Sequence, residues 1–276
     1  LSTASSLIAA LSFGALAVWL WRWQPRNAPH WVWLATIVAL TWLYEWPMAA
    51  LARFSTPDSL SIVLTIGALW FWLERRRVEP YFLFALLALL ARPDTIVLTG
   101  TLAAYFTLLA PPPQRMELRH GIPGMALLLG VYFLAHRYSG VYSWELMFTY
   151  AFLNKIPDPE ALTGTLTPAL YQQVIMATLP MFLADPRMVA LMIISTLGLI
   201  LGWQKPGTEH RLWRDLLLLT WAALAVRFAI FPAWGEARYY YAYDLLMLLA
   251  ALELGWPYIA ACAGTGTGRR FSSTAT

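Results

Sequence analysis

The sequence predicts an all-α, polytopic transmembrane helix bundle of about nine membrane segments. Three observations predict it. Apolar residues come in long runs, and a helix that crosses a bilayer needs about 20 of them in succession. Only 12% of the 276 residues are charged, about half the supply that covers a water-soluble domain. The chain also holds 15 Trp and 13 Tyr, whose apolar bodies and polar edges suit the headgroup level. Residues 1–262 read as one transmembrane domain and 263–276 as a flexible cytoplasmic tail.

In chain order, the apolar spans cover 4–21, 31–54, 60–73, 81–91, 94–110, 123–136, 187–203, 215–232 and 241–262. The first run, Leu7 to Leu20, has Arg22 and Arg26 behind it rather than in front. That is the reverse of a secretory signal peptide. The chain opens at Leu1 with neither methionine nor basic leader, so further residues are expected upstream. Spans 81–91 and 94–110 are split by Arg92-Pro93-Asp94 and read as a hairpin with a short first arm. Irregular backbone at that depth must be buried in protein or line a wet cavity. Segment 138–186 is the longest connection and mixes Tyr138, Tyr142 and Trp144 with Lys155, Asp158 and Glu160. It reads as interfacial or re-entrant helices in an extracytoplasmic loop.

Basic residues orient the bundle. Alternate connections, beginning after the first span, hold 12 of the 19 Lys and Arg, and the bias has the same sign at every loop. Basic loops stay cytoplasmic, so the N-terminus is expected outside and the C-terminus inside.

Several function classes drop out. The net charge of +4 is not gathered into a basic stripe; its one dense cluster, Arg75-Arg76-Arg77, follows an apolar span and acts as a topology signal. No nucleic-acid partner is expected. Cys262 is the sole cysteine, so there is no internal disulfide. The four histidines are scattered without ligand spacing, and no metal or other cofactor is expected. The run Gly264-Thr265-Gly266-Thr267-Gly268 lacks the Lys-Ser/Thr ending of a phosphate loop.

Charges near the outer span ends are the candidate chemistry. They fall at Arg53 to Ser59, at Arg92-Pro93-Asp94, at Arg227, and from Glu236 and Arg238 to Asp244. All lie on one side in the expected topology. Ionisable groups at membrane depth cost several kcal/mol unless paired or hydrated, so together they predict a polar cavity with arginines beside carboxylates. Each has a plainer structural reading. Ser55-Thr56-Pro57-Asp58 is also a good helix start, Arg92-Pro93-Asp94 a turn with a capping acid, and Arg227 a neutraliser of Asp244. Glu45 and Glu253 lie deeper and need water or a partner.

Three stretches resemble GT-C-fold glycosyltransferases, integral membrane enzymes that use polyprenyl-phosphate-linked sugars. Ala52 to Trp72, ARFSTPDSLSIVLTIGALWFW, resembles the family's polar outer turn with an acid opening a Leu-rich span. Phe84 to Leu109, FALLALLARPDTIVLTGTLAAYFTLL, resembles its hairpin broken by Arg-Pro-Asp or Arg-Pro-Glu. FPAWGEARYYYAYDLLMLLAALE is similar to its late Arg-Tyr-rich outer loop. The resemblance implies sugar transfer from a polyprenyl-phosphate donor to a lipid, glycan or protein acceptor outside the plasma (inner) membrane of a bacterium.

Carried over residue by residue, the resemblance implies phosphate contacts from Arg92 and Arg238, a sugar pocket lined by Asp94 and Glu236, and further substrate contacts from Arg53, Tyr239 and Tyr240. In the family the catalytic acid lies in the first outer loop, which is expected to precede Leu1 here; Asp58 is the nearest substitute by side and depth. The alternative is a non-catalytic membrane subunit or scaffold lodged among membrane-protein partners. A transporter of lipid-linked substrates is the third reading, and the one-sidedness of the charges opposes it.

Overall fold

The computed structural model describes residues 58–139, 168–203, 207–230 and 241–262, with isolated positions between Leu7 and Arg22. Every regular element among the described residues is helical: α1 (Asp58–Arg75), α2 (Val78–Ala91), α3 (Ile96–Ala104), α4 (Leu118–Ser139), α5 (Pro168–Ala184), α6 (Pro186–Trp203), α7 (Thr208–Ile230) and α8 (Tyr241–Cys262). A 3-10 turn, Pro93–Thr95, leads into α3, and a π turn, Tyr105–Leu109, continues it. Several helices outrun their apolar spans by a polar turn at Arg75, at Leu118-Arg119-His120, or at Thr208 to Arg214. Apolar content marks only the part that avoids water, whereas the backbone ladder continues until its donors or acceptors are capped.

The Arg92 break follows from local sterics. Proline disfavours the helical conformation of the residue before it, and Arg92 is extended, at φ −147° and ψ 109°. Pro93 then starts the next turn, where its missing N–H costs nothing. The Thr95 hydroxyl donates to the Arg92 carbonyl at 2.6 Å, and the Thr99 hydroxyl to the Thr95 carbonyl at 2.9 Å. The chain therefore reverses with its backbone groups satisfied.

α8 is the hub. Residues 242–251 are buried without interruption, as expected of a helix that is apolar all round. It packs against α1, α6 and α7; α1 pairs with α2, and α2 and α3 pack on α4. On α6 the buried positions are Met188, Leu191, Ser195, Gly198 and Gly202, spaced three and four apart. Small residues let backbones close up. A Cβ on Gly198 would lie 2.9 Å from the Ala251 Cα, and one on Gly202 would lie 2.5 Å from a Leu254 methyl. The Tyr258 hydroxyl donates to the Leu201 carbonyl at 3.0 Å, closing the same seam.

The outward faces are apolar too. Two stretches, Leu118–Ala135 and Pro186–Trp203, are long and apolar enough to cross a membrane, yet only 22% and 28% of them is buried in the protein. A core helix of a water-soluble protein would be mostly buried. On α6 the exposed residues include Ile193, Leu197 and Ile200; on α4 they include Leu127, Leu129, Phe133 and Leu134. On α6, Ser195, Gly198 and Gly202 face inward while these large apolar side chains point outward, the distribution of helices that associate in lipid.

Most of the long connection falls outside the described residues. Within it, α5 is a 17-residue helix. It meets the bundle near its C-terminal end, where the Phe182 and Phe228 rings lie 5.0 Å apart, while Met176, Leu179, Met181 and Leu183 are exposed. The predicted tail and the first two spans also lie outside the described residues, apart from the isolated positions already noted.

Candidate functional site

At one end of the bundle, three charged side chains from two distant parts of the chain form a single buried cluster. The extended backbone at Arg92 swings its side chain alongside Asp94. Its Nε donates to Asp94 Oδ1 at 3.0 Å and its Nη2 to Oδ2 at 2.9 Å. Arg227, near the C-terminal end of α7, donates from Nη2 to the same Oδ2 at 3.1 Å. Exposure is 8% for Arg92, 6% for Asp94 and 2% for Arg227. The planar guanidinium fork matches the carboxylate, so the Arg92 contact is bidentate. Two cations share one anion, and the triad carries one net positive charge.

Other elements close around it. A cavity of about 20 Å³ adjoins Arg92 and Asp94 and is lined by Ser61, Ile62, Thr95, Leu98, Ala242 and Tyr243. That is room for about one water. Tyr132 of α4 lies within electrostatic reach of the Asp94 carboxylate. Thus α1, the α2–α3 break, α4, α7 and the start of α8 converge on one point. With Asp94 held between the arginines, the site is closed to anything the size of a sugar. Opening it means separating Arg92 and Arg227 from Asp94.

The structure brings together Arg92 and Asp94 of the expected site residues. Asp58 opens α1, one turn before Ser61 at the cavity wall. Arg53, Glu236, Arg238, Tyr239 and Tyr240 lie outside the described residues, as does Glu45. Glu253 is half-buried on α8. Arg227 is the addition: the structure brings it to Asp94. The available signal was an arginine inside an otherwise apolar run, where a buried carboxylate partner is required somewhere.

A second polar cluster lies at the opposite end. The Tyr105 hydroxyl, in the π turn, donates to Asp215 Oδ2 at 3.0 Å. Arg211 Nε lies 3.6 Å from the same oxygen and Arg214 Nε 4.0 Å from Oδ1. Among the described residues no group of His, Cys, Asp and Glu has the makings of a metal site.

Compared with protein-family models, curated proteins and solved structures, the chain matches none.

Proposed function

We propose that the chain is a polytopic membrane protein whose Arg92–Asp94–Arg227 cluster receives the phosphate of a polyprenyl-phosphate sugar, and that it belongs to an enzyme transferring that sugar outside the membrane. The observation that carries this reading is a buried pair of arginines sharing one carboxylate. Guanidinium forks suit phosphate oxygens, which they bond two at a time. A carboxylate freed as the site opens would be available to an acceptor hydroxyl as a general base. Membrane lipids, the donor and membrane-protein partners are the expected surroundings.

The scaffold reading has its own support. The cavity beside the triad holds about one water, and Asp94 already engages both arginines. A closed cluster whose members bond one another suits a protein that only holds helices together.

Photocrosslinking with a polyprenyl-phosphate sugar analogue separates the two. The donor-site reading expects labelling in native membranes that falls about tenfold or more in Arg227→Lys and Arg92→Lys, each retaining charge but not the fork. Absence of labelling in the folded wild-type chain would leave the scaffold reading in place.

A further inference from the structure

We infer that the arginine-rich end of the bundle, opposite the Asp94 cluster, is a binding surface for anionic phospholipid headgroups. The inference rests on the membrane reading above but is independent of the sugar donor.

Three arginines at this end are held against tryptophan faces. Arg75 lies 5.4 Å from the Trp70 ring centroid, Arg76 lies 5.6 Å from Trp72, and Arg214 lies 4.9 Å from Trp203. Such stacking holds a guanidinium near the bilayer interface while leaving its N–H groups outward. The three sites form one continuous rim. Trp72 donates from Nε1 to the Gln114 carbonyl at 2.9 Å and its ring lies 6.1 Å from Phe106. Phe106 adjoins Tyr105, which binds Asp215, the carboxylate beside Arg211 and Arg214.

The charge is unbalanced along the segments at this end. Segments 74–79, 111–120 and 203–215 hold eight Lys and Arg against five Asp and Glu, a difference of three positive charges. At the opposite end Arg92, Arg187 and Arg227 are all bonded to aspartates. Arg75, Arg76 and Arg77 are exposed.

An apolar collar sits directly beside the rim. Leu108, Leu109 and Leu118 are 52%, 63% and 53% exposed, and Trp203 is 66% exposed. A soluble anion or a nucleic acid would have no use for that collar. A phospholipid has both parts, an anionic head for the arginines and acyl chains for the leucines. Anionic leaflets attract basic residues by roughly a fivefold affinity gain per residue near the surface.

The test uses the full chain reconstituted into bilayer nanodiscs of phosphatidylcholine with a minor fraction of phosphatidylglycerol. Lipids that stay with the protein on mild detergent extraction are identified by native mass spectrometry. Phosphatidylglycerol should be retained several-fold over its share of the bilayer, and raised salt should erode that enrichment. The variant Arg75→Gln/Arg77→Gln/Arg211→Gln should lose it while inserting normally, and Arg187→Gln at the other end should keep it. Retention in proportion to bilayer composition would overturn the inference and leave the membrane reading standing. Failure to enter the bilayer would overturn both. Should the triple variant not fold, enrichment in the wild-type chain that is insensitive to salt would likewise overturn it.

Discussion

Arg227 donates a hydrogen bond to Asp94 across 133 positions of sequence, at 3.1 Å. This contact ties the C-terminal end of α7 to the break between α2 and α3. Removing one member of a buried charge cluster strands the others away from water, which costs about 3–5 kcal/mol. Asp94→Asn is therefore expected to destabilise the protein by about that much, read as thermal unfolding in detergent. Arg227→Gln should cost less, because Arg92 still neutralises Asp94. The double variant should show a coupling of about 1 kcal/mol or more between positions 94 and 227. Additive effects would mean that the bond contributes nothing beyond packing.

The α6–α8 seam separates two kinds of glycine. A methyl at Gly198 meets the Ala251 backbone at 2.9 Å, which no side-chain rotation relieves. Gly198→Ala should destabilise the fold by about 1–3 kcal/mol through overpacking. Gly130 on α4 has nothing within 4 Å of the same added methyl, so Gly130→Ala should be neutral or stabilise by up to about 1 kcal/mol through helix propensity. Parallel unfolding curves of the two variants check both.

At the opposite end, the Tyr105 hydroxyl satisfies Asp215 from the π turn. Tyr105→Phe removes that donor without changing the ring's shape. A loss of about 1 kcal/mol is expected. Hydrogen exchange at the start of α7 should rise with it, since Asp215 lies in the first two turns of that helix.

The corner between α5 and α6 carries a pH-sensitive contact. Burial pushes the Asp185 carboxyl up, but hydrogen bonds from the Arg187 side chain and backbone, together with its charge, outweigh that and hold it below its ordinary value. A carboxyl lowered in the folded state contributes stability that is complete above its unfolded pKa of about 3.9. That contribution is lost as the pH falls through the lower folded value. NMR titration should place the Asp185 midpoint below that of an unfolded peptide, and Arg187→Gln should raise it. A midpoint at or above the peptide value would contradict the pairing.

The outward residues of α4 and α6 can be placed directly. Nitroxide labels at Leu134→Cys and Leu197→Cys, both on exposed apolar positions, should relax with oxygen rather than with a water-soluble nickel chelate in a bilayer. A label at Arg119→Cys, an exposed position in the first turn of α4, should show the reverse. Equal response to the chelate at all three sites would contradict a lipid-facing surface.

Much of the helical layout was legible beforehand. Runs of Leu, Ala and Ile with few charges mark helices whatever surrounds them, and Pro93 forces the break at Arg92 through contacts between neighbouring residues. The polar turns that extend α1, α4 and α7 were less legible, because helix ends depend on capping and packing more than on hydropathy. The 17-residue α5 was obscured by Pro168 at its start, Gln172 and Gln173 within it, and Pro180 near its end.

The site divides in the same way. Arg92 and Asp94 stand two positions apart, so their association can be read from the chain alone. Arg227 cannot be assigned in that way, since an arginine in an apolar run calls for a carboxylate without naming which. Composition and local sterics, which act over a few residues, determined the helices and the break. Only the tertiary structure decided that α8 lies at the centre, that Gly198 meets Ala251, and that Asp94 is shared by Arg92 and Arg227. Those outcomes depend on which helix faces come together, and that is settled by how small side chains and buried charges fit across the whole bundle.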